Sequence, residues 1–223
     1  MPAGAANPPI GGHDRQFGSG PDAVATHAGA VARGLQDAGV VPTVKHFPGL
    51  GRVTADTDTR GGVTDPVTSR TDPYLTPFRD AVRVGTPFVM VSNAAYARID
   101  PGRPVVFSPV VIDGLLRGDL GFDGVVVSDD LGVARQVSGV AVGDRATRFV
   151  DAGGDLVLTV DPATLPAMYA ALLARARTDT GFRLRVERSA RRIVLAKQRL
   201  GLVGRPAPGR VPGHVRYAFG PLR

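Results

Sequence analysis

The sequence predicts an α/β fold in which parallel strands alternate with helices, and three observations predict it. Four short apolar runs, at 41–45, 87–92, 124–129 and 155–160, are continuous rather than alternating, as strands covered by helices on both faces must be. Longer stretches with apolar positions at helical spacing separate them. Polar residues capable of chemistry, Lys45-His46 and Asp129-Asp130, stand at the C-terminal ends of two runs, where α/β folds place their sites. This alternation argues for a barrel, yet a closed barrel of this type has eight strands and about 250 residues. With 223 residues and four strands, the expectation is an incomplete one.

Each element has a local reason. Residues 1–20, rich in Gly and Pro, read as loop. Val24, Ala28, Val31, Ala32 and Leu35 share one face of a helix over 21–38, with Gly39 placed to stop it. After the strand at 41–45, Pro48-Gly49-Leu50-Gly51 forces a sharp turn into a polar loop that runs to about residue 70. Asp72-Pro73 opens a helix that ends near Gly85, and the strand 87–92 follows. Residues 93–107 read as loop. Ser108-Pro109, a capping hydroxyl and a proline at the first position, starts a short helix over 110–117. Beyond the valine-rich strand 124–129 the rhythm continues with helices at 144–152, 164–177 and 184–200 around the strand 155–160. Residues 203–223 read as a basic, Pro- and Gly-containing tail.

Composition bounds the function. At 43% hydrophobic and 21% charged the chain supports one sizeable core, and no run approaches the roughly 18 apolar residues a membrane span needs. With no cysteine and four histidines at 13, 27, 46 and 214, outside any His-Glu-x-x-His spacing, neither a metal nor another cofactor is expected. The net charge of +7 is unevenly placed: residues 183–223 carry eleven Lys/Arg and one acid, Glu187, while the preceding body is slightly acidic. That stretch lacks interleaved aromatics and any nucleic-acid motif, so it reads as a solvated helix face and nucleic acid is not an expected partner. Gly18-Ser19-Gly20-Pro21 fits a dinucleotide fingerprint only on paper, since no strand precedes it and Pro21 has no amide to offer a phosphate.

Two stretches carry the candidate chemistry. Lys45-His46 at a strand end, followed by Asp56-Thr57-Asp58, reads either as a catalytic loop or as a solvated terminus and an Asx-type turn. Asp129 and Asp130 read either as functional carboxylates or as caps of the following segment.

Lys45-His46-Phe47-Pro48-Gly49-x-Gly51 with its following Asp-Thr resembles the signature of glycoside hydrolase family 3, in its β-N-acetylhexosaminidase branch. Asn7-Pro8-Pro9-Ile10-Gly11, Arg15-x-Phe17-Gly18, the run Gly121-Phe122-x-Gly124-Val125-Val126-x-Ser128-Asp129-Asp130-Leu131 and the close Ala196–Leu202 resemble the same family. The resemblance implies a (β/α)8 TIM-barrel domain, here over residues 1–202, lacking roughly its first three β/α units and the sugar-binding aspartate they carry. It implies that Asp129 is the nucleophile of a retaining β-N-acetylhexosaminidase, and that Arg15, Lys45 and His46 hold the sugar. In the family an Asp-Ser/Thr-His triplet supplies the acid/base histidine and its orienting aspartate. Asp58 stands at that histidine's place, which makes Asp58 the candidate acid/base and Asp56 its orienting partner. The implied partner is an N-acetylglucosamine-containing glycan of cell-wall origin. The departure at Asp58 leaves a second expectation, a catalytically impaired fragment or a carbohydrate-binding relic.

Overall fold

The computed structural model describes residues 6–203. In chain order the elements are α1 Pro21–Asp37, β1 Thr43–Phe47, β2 Thr64–Asp65, α2 Thr76–Arg83, β3 Phe88–Val91, β4 Ala95–Tyr96, β5 Asp100–Pro104, a π-helix Val110–Asp119, β6 Val125–Asp130, α3 Val142–Asp151, β7 Leu156–Leu158, α4 Leu165–Thr178 and α5 Thr180–Arg199. The basic tail expected at 203–223 lies, after Val203, outside the described residues.

β1, β3, β6 and β7 form one parallel sheet in that order, with Phe88 opposite both Thr43 and Val125, and Asp130 opposite Leu158. The order follows the sequence, so each helical connection returns the chain to the neighbouring place, as in a barrel wall. The central strands explain the apolar runs: Val89, Val91, Val125, Val126 and Val127 are all buried. The strands at the two ends of the sheet differ, with Thr43 and Lys45 of β1 and Leu156 of β7 exposed.

The main core lies between the sheet and its outer helices, where Phe47 meets Phe78 of α2 edge-on at 5.2 Å and Phe149, Leu115 and Ile112 fill the centre. On the other face of the sheet Val125 and Val127 pack with Ala196 and Ile193 of α5. Asp155, whose side chain is fully buried, fixes that end. It accepts from Arg117 of the π-helix at 2.6 Å, from Arg192 of α5 at 2.9 Å and from the Val126 amide at 2.9 Å. Because Asp155 immediately precedes β7, α5 and the π-helix are tied to the N-terminal ends of the strands. The C-terminal ends stay open.

Three expectations are corrected here. The segment 93–107, read as loop, contains β4 and β5, which pair antiparallel, while β2 pairs parallel with β4 to give a second, three-stranded sheet. The pattern was too short to read, because β4 has two residues and β5 is the Pro- and Gly-bearing run Asp100–Pro104. Ser108 caps as expected, accepting from the Val111 amide at 3.1 Å, but the helix that follows is wider than an α-helix. β1 runs two residues further than expected, so Lys45 and His46 lie inside its last turn of pleat rather than after it. The peptide bonds Lys45–His46 and Phe47–Pro48 are cis.

α1 buries none of its residues, and Val31 and Leu35 on its apolar face are exposed. Between α1, α2 and β1 lies a cleft of about 660 Å³, lined by Val24, Ala28, Val44, Pro77 and Ala81 among others.

Candidate active site

The C-terminal ends of β1, β3 and β6 converge on a single acidic and basic cluster. β6 brings Asp129 and Asp130 there, and alternation along the strand gives them opposite tasks. Asp130 is buried, and its carboxylate accepts from four backbone amides: Gly132 and Val160 at 3.0 Å, Val133 and Ala134 at 2.9 Å. This is the capping role, and it closes the loop after β6 against the end of β7. Gly132 is obligatory there, since a Cβ would stand 2.1 Å from the Thr159 hydroxyl.

Asp129 is spared that role. One carboxylate oxygen accepts from the Asp130 amide at 3.0 Å, and the other faces His46 Nε2 at 3.9 Å. Its side chain is 16% exposed. Burial pushes its carboxyl up to about 6; the Asp130 amide and Lys45 oppose this, while the charges of Asp58 and Asp130 add to it.

His46 is 6% exposed, and burial, followed by the charges of Lys45 and Arg15, holds its imidazole down to about 3. At neutral pH it is therefore an uncharged ring, not the partner of an ion pair with Asp129. Its Nδ1 has no hydrogen-bond partner among the described residues. Lys45, next to it, is exposed. Arg15 is also exposed and anchors on the chain before it, donating from Nε to the Pro9 carbonyl at 2.7 Å. The turn after β1 is held from two sides. The Tyr96 hydroxyl donates to the Gly49 carbonyl at 2.8 Å, and Asn7 Nδ2 donates to the carbonyls of Leu50 and Val53, both at 2.8 Å.

The loop carrying Asp56, Thr57 and Asp58 reaches the same cluster. The Asp56 carboxylate accepts from the Asp58 amide at 2.9 Å, so it shapes the backbone of Asp58 and does not meet its side chain. Partial burial, then the charges of Asp56 and Asp130, raise the Asp58 carboxyl above the usual range, with Arg15 and Lys45 opposing. The six residues expected from the sequence thus act on one another. An ionisable carboxylate, a neutral imidazole, two cations and a second carboxyl raised above its usual range suit the attack and protonation steps of acetal chemistry.

The description of the glycosyl hydrolase family 3 N-terminal domain matches residues 4–196. The chain belongs to glycoside hydrolase family 3. This family 3 chain is 34% identical over 208 residues to a β-hexosaminidase of Stenotrophomonas maltophilia, covering 92% of the chain and 56% of that relative. Among solved structures it is similar to a β-N-acetylhexosaminidase from Beutenbergia cavernae, with a TM-score of 0.85 and 47% identity over 87% of this chain and 58% of that one. A family 3 β-N-acetylglucosaminidase from Paenibacillus superposes with a TM-score of 0.78 at 36% identity, covering 89% of this chain and 38% of that one. The family 3 chain therefore spans about half the length of the curated relatives it matches. The expected barrel-type α/β fold stands, as part of a barrel domain.

Three further residues position the site. Asn93, fully buried just past β3, donates to the Asp130 carbonyl at 2.9 Å. The polar pair Ser92-Asn93 at the end of a buried strand was the available signal. Arg145 of α3 is buried and holds the carbonyls of Leu131, Gly132 and Val140, and Gln136 binds Val63 across 73 residues. Neither pairing leaves a local trace.

Proposed function

We propose that this chain provides the catalytic carboxylates of a retaining β-N-acetylhexosaminidase acting on N-acetylglucosaminides of cell-wall origin. The observation that carries the reading is the contrast between neighbours: Asp130 is consumed by four amides, while Asp129 keeps an oxygen turned to His46. Ionised, Asp129 attacks the anomeric carbon and forms a covalent glycosyl-enzyme. The Asp58 carboxyl protonates the leaving oxygen and, once ionised, takes a proton from the water that releases the sugar. Arg15 and Lys45 supply charged donors to sugar hydroxyls, and His46 a neutral ring for the face or the N-acetyl group. The relatives named β-hexosaminidase and β-N-acetylglucosaminidase support the substrate class.

The test is hydrolysis of aryl N-acetylglucosaminides by the protein. Turnover by the parent and its loss in Asp129→Asn are expected. An unaltered rate in Asp129→Asn would overturn the assignment. A parent that binds N-acetylglucosamine without turnover would instead favour the carbohydrate-binding relic, which the replacement of the family's histidine by Asp58 motivates.

A further inference from the structure

We propose that Gln136 is the positioning residue for the acid/base loop, holding Asp58 in register with the nucleophile strand. This rests on the role proposed above for Asp58. The loop has little of its own to hold it. Residues 58–62 are exposed, and Gly61 and Gly62 interrupt them, with Gly62 at a positive φ of 73°. A segment of this kind sits at the low end of local stability unless something outside it fixes its course.

That external fixture is the chain just beyond β6. The Arg135 amide donates to the Asp58 carbonyl at 3.1 Å and the Gln136 amide to the Thr57 carbonyl at 3.0 Å, which secures the near arm of the loop. The Gln136 side chain secures the far arm, its Oε1 accepting from the Val63 amide at 2.8 Å and its Nε2 donating to the Val63 carbonyl at 3.1 Å. One residue thus closes both arms of the excursion that presents Asp58. The mount is itself rigid. Asp130 gathers the amides of residues 132–134, and Arg145 holds the carbonyls of Leu131 and Gly132. The path from the nucleophile to the acid/base therefore runs through hydrogen bonds of the post-β6 segment, not through β1, the strand on which the loop begins.

A carboxyl acting as general acid must meet the leaving oxygen within a few tenths of an ångström, and a 1 Å misplacement costs about a hundredfold. Gln136 matters to the reaction only through that placement. The side chain contributes a matched donor and acceptor, so Gln136→Glu keeps the acceptor for the Val63 amide and loses the donor to its carbonyl.

The experiment compares Gln136→Ala, Gln136→Glu and Asp58→Ala with the parent protein, by hydrogen exchange and by hydrolysis of N-acetylglucosaminides with good and poor leaving groups. In Gln136→Ala, exchange of the peptide covering residues 57–63 should accelerate roughly tenfold or more while strands β3 and β6 keep their protection. kcat/KM, which reports the first chemical step, should fall roughly 10- to 100-fold for poor leaving groups and stay within about threefold for activated aryl glycosides. Gln136→Glu should fall between Gln136→Ala and the parent. Unchanged exchange at 57–63 would overturn the proposal, as would equal loss with both glycosides. If Asp58→Ala itself shows no dependence on the leaving group, the acid/base reading fails, and the exchange data still decide whether Gln136 holds the loop.

Discussion

Asp129 carries an ionisable carboxyl where burial opposes ionisation, and two measurable consequences follow. Its folded-state value of about 6 lies above the unfolded value of about 3.9, so the folded chain holds the proton more tightly than the unfolded one. That advantage is present at low pH and is lost as pH rises from about 4 through about 6, leaving an ionised group that costs on the order of 3 kcal/mol at pH 7. Asp129→Asn should therefore raise the thermal midpoint at pH 7, with the gain vanishing below pH 4; a lowered midpoint at pH 7 would contradict the burial. As the proposed nucleophile, Asp129 reacts only when ionised. Turnover should rise as Asp129 ionises through about pH 6, and a rate that is flat between pH 4 and pH 7 would contradict the assignment. In Asp58→Ala, kcat/KM for glycosides with poor leaving groups should fall far more than for activated aryl ones. A uniform loss would make Asp58 structural. At this scale the sequence was informative about which residues gather, because strand ends and a long motif name them. It was silent on the division of labour between Asp129 and Asp130, which depends on four amides brought in from the following loop and from Val160.

The elements are held at opposite ends by two acids of different kind. Asp130 organises the loop over the site at the C-terminal ends of the strands, and Asp130→Asn, which replaces an acceptor-only group with one bearing two donors, should destabilise the chain by roughly 1–3 kcal/mol. Its activity loss should track that loss of fold, unlike that of Asp129→Asn. At the N-terminal ends, Asp155 is fully buried between Arg117 and Arg192. Asp155→Ala leaves Arg117 without its carboxylate and should cost roughly 3–5 kcal/mol, read as a shift in the urea midpoint. A shift below about 0.5 kcal/mol would show that the network is not structural. The four main strands and the α-helices were legible within a few residues, since continuous apolar runs and helical spacing are local signals. β2, β4 and β5 were not, because two-residue strands exist only through their partners.

For the molecule as a whole, the sheet ends in β1 and β7, α1 buries no side chain, and the cleft beside β1 is apolar. Open edges and uncovered apolar faces favour association with other chains. The 223-residue chain should therefore self-associate, read by light scattering as a mass above that of one copy. A monodisperse monomer would refute this. The barrel type was legible in the alternation of elements, and the shortfall in the strand count. The position of the loop bearing Asp58 was not, because contacts with residues 135 and 136 set it. The most direct test of the central claim is to trap the covalent intermediate with a fluorinated N-acetylglucosaminyl donor and locate the adduct by peptide mass spectrometry. A single adduct on the carboxylate of Asp129 is the predicted result; an adduct on Asp58, on Asp130 or on no carboxylate at all would contradict it.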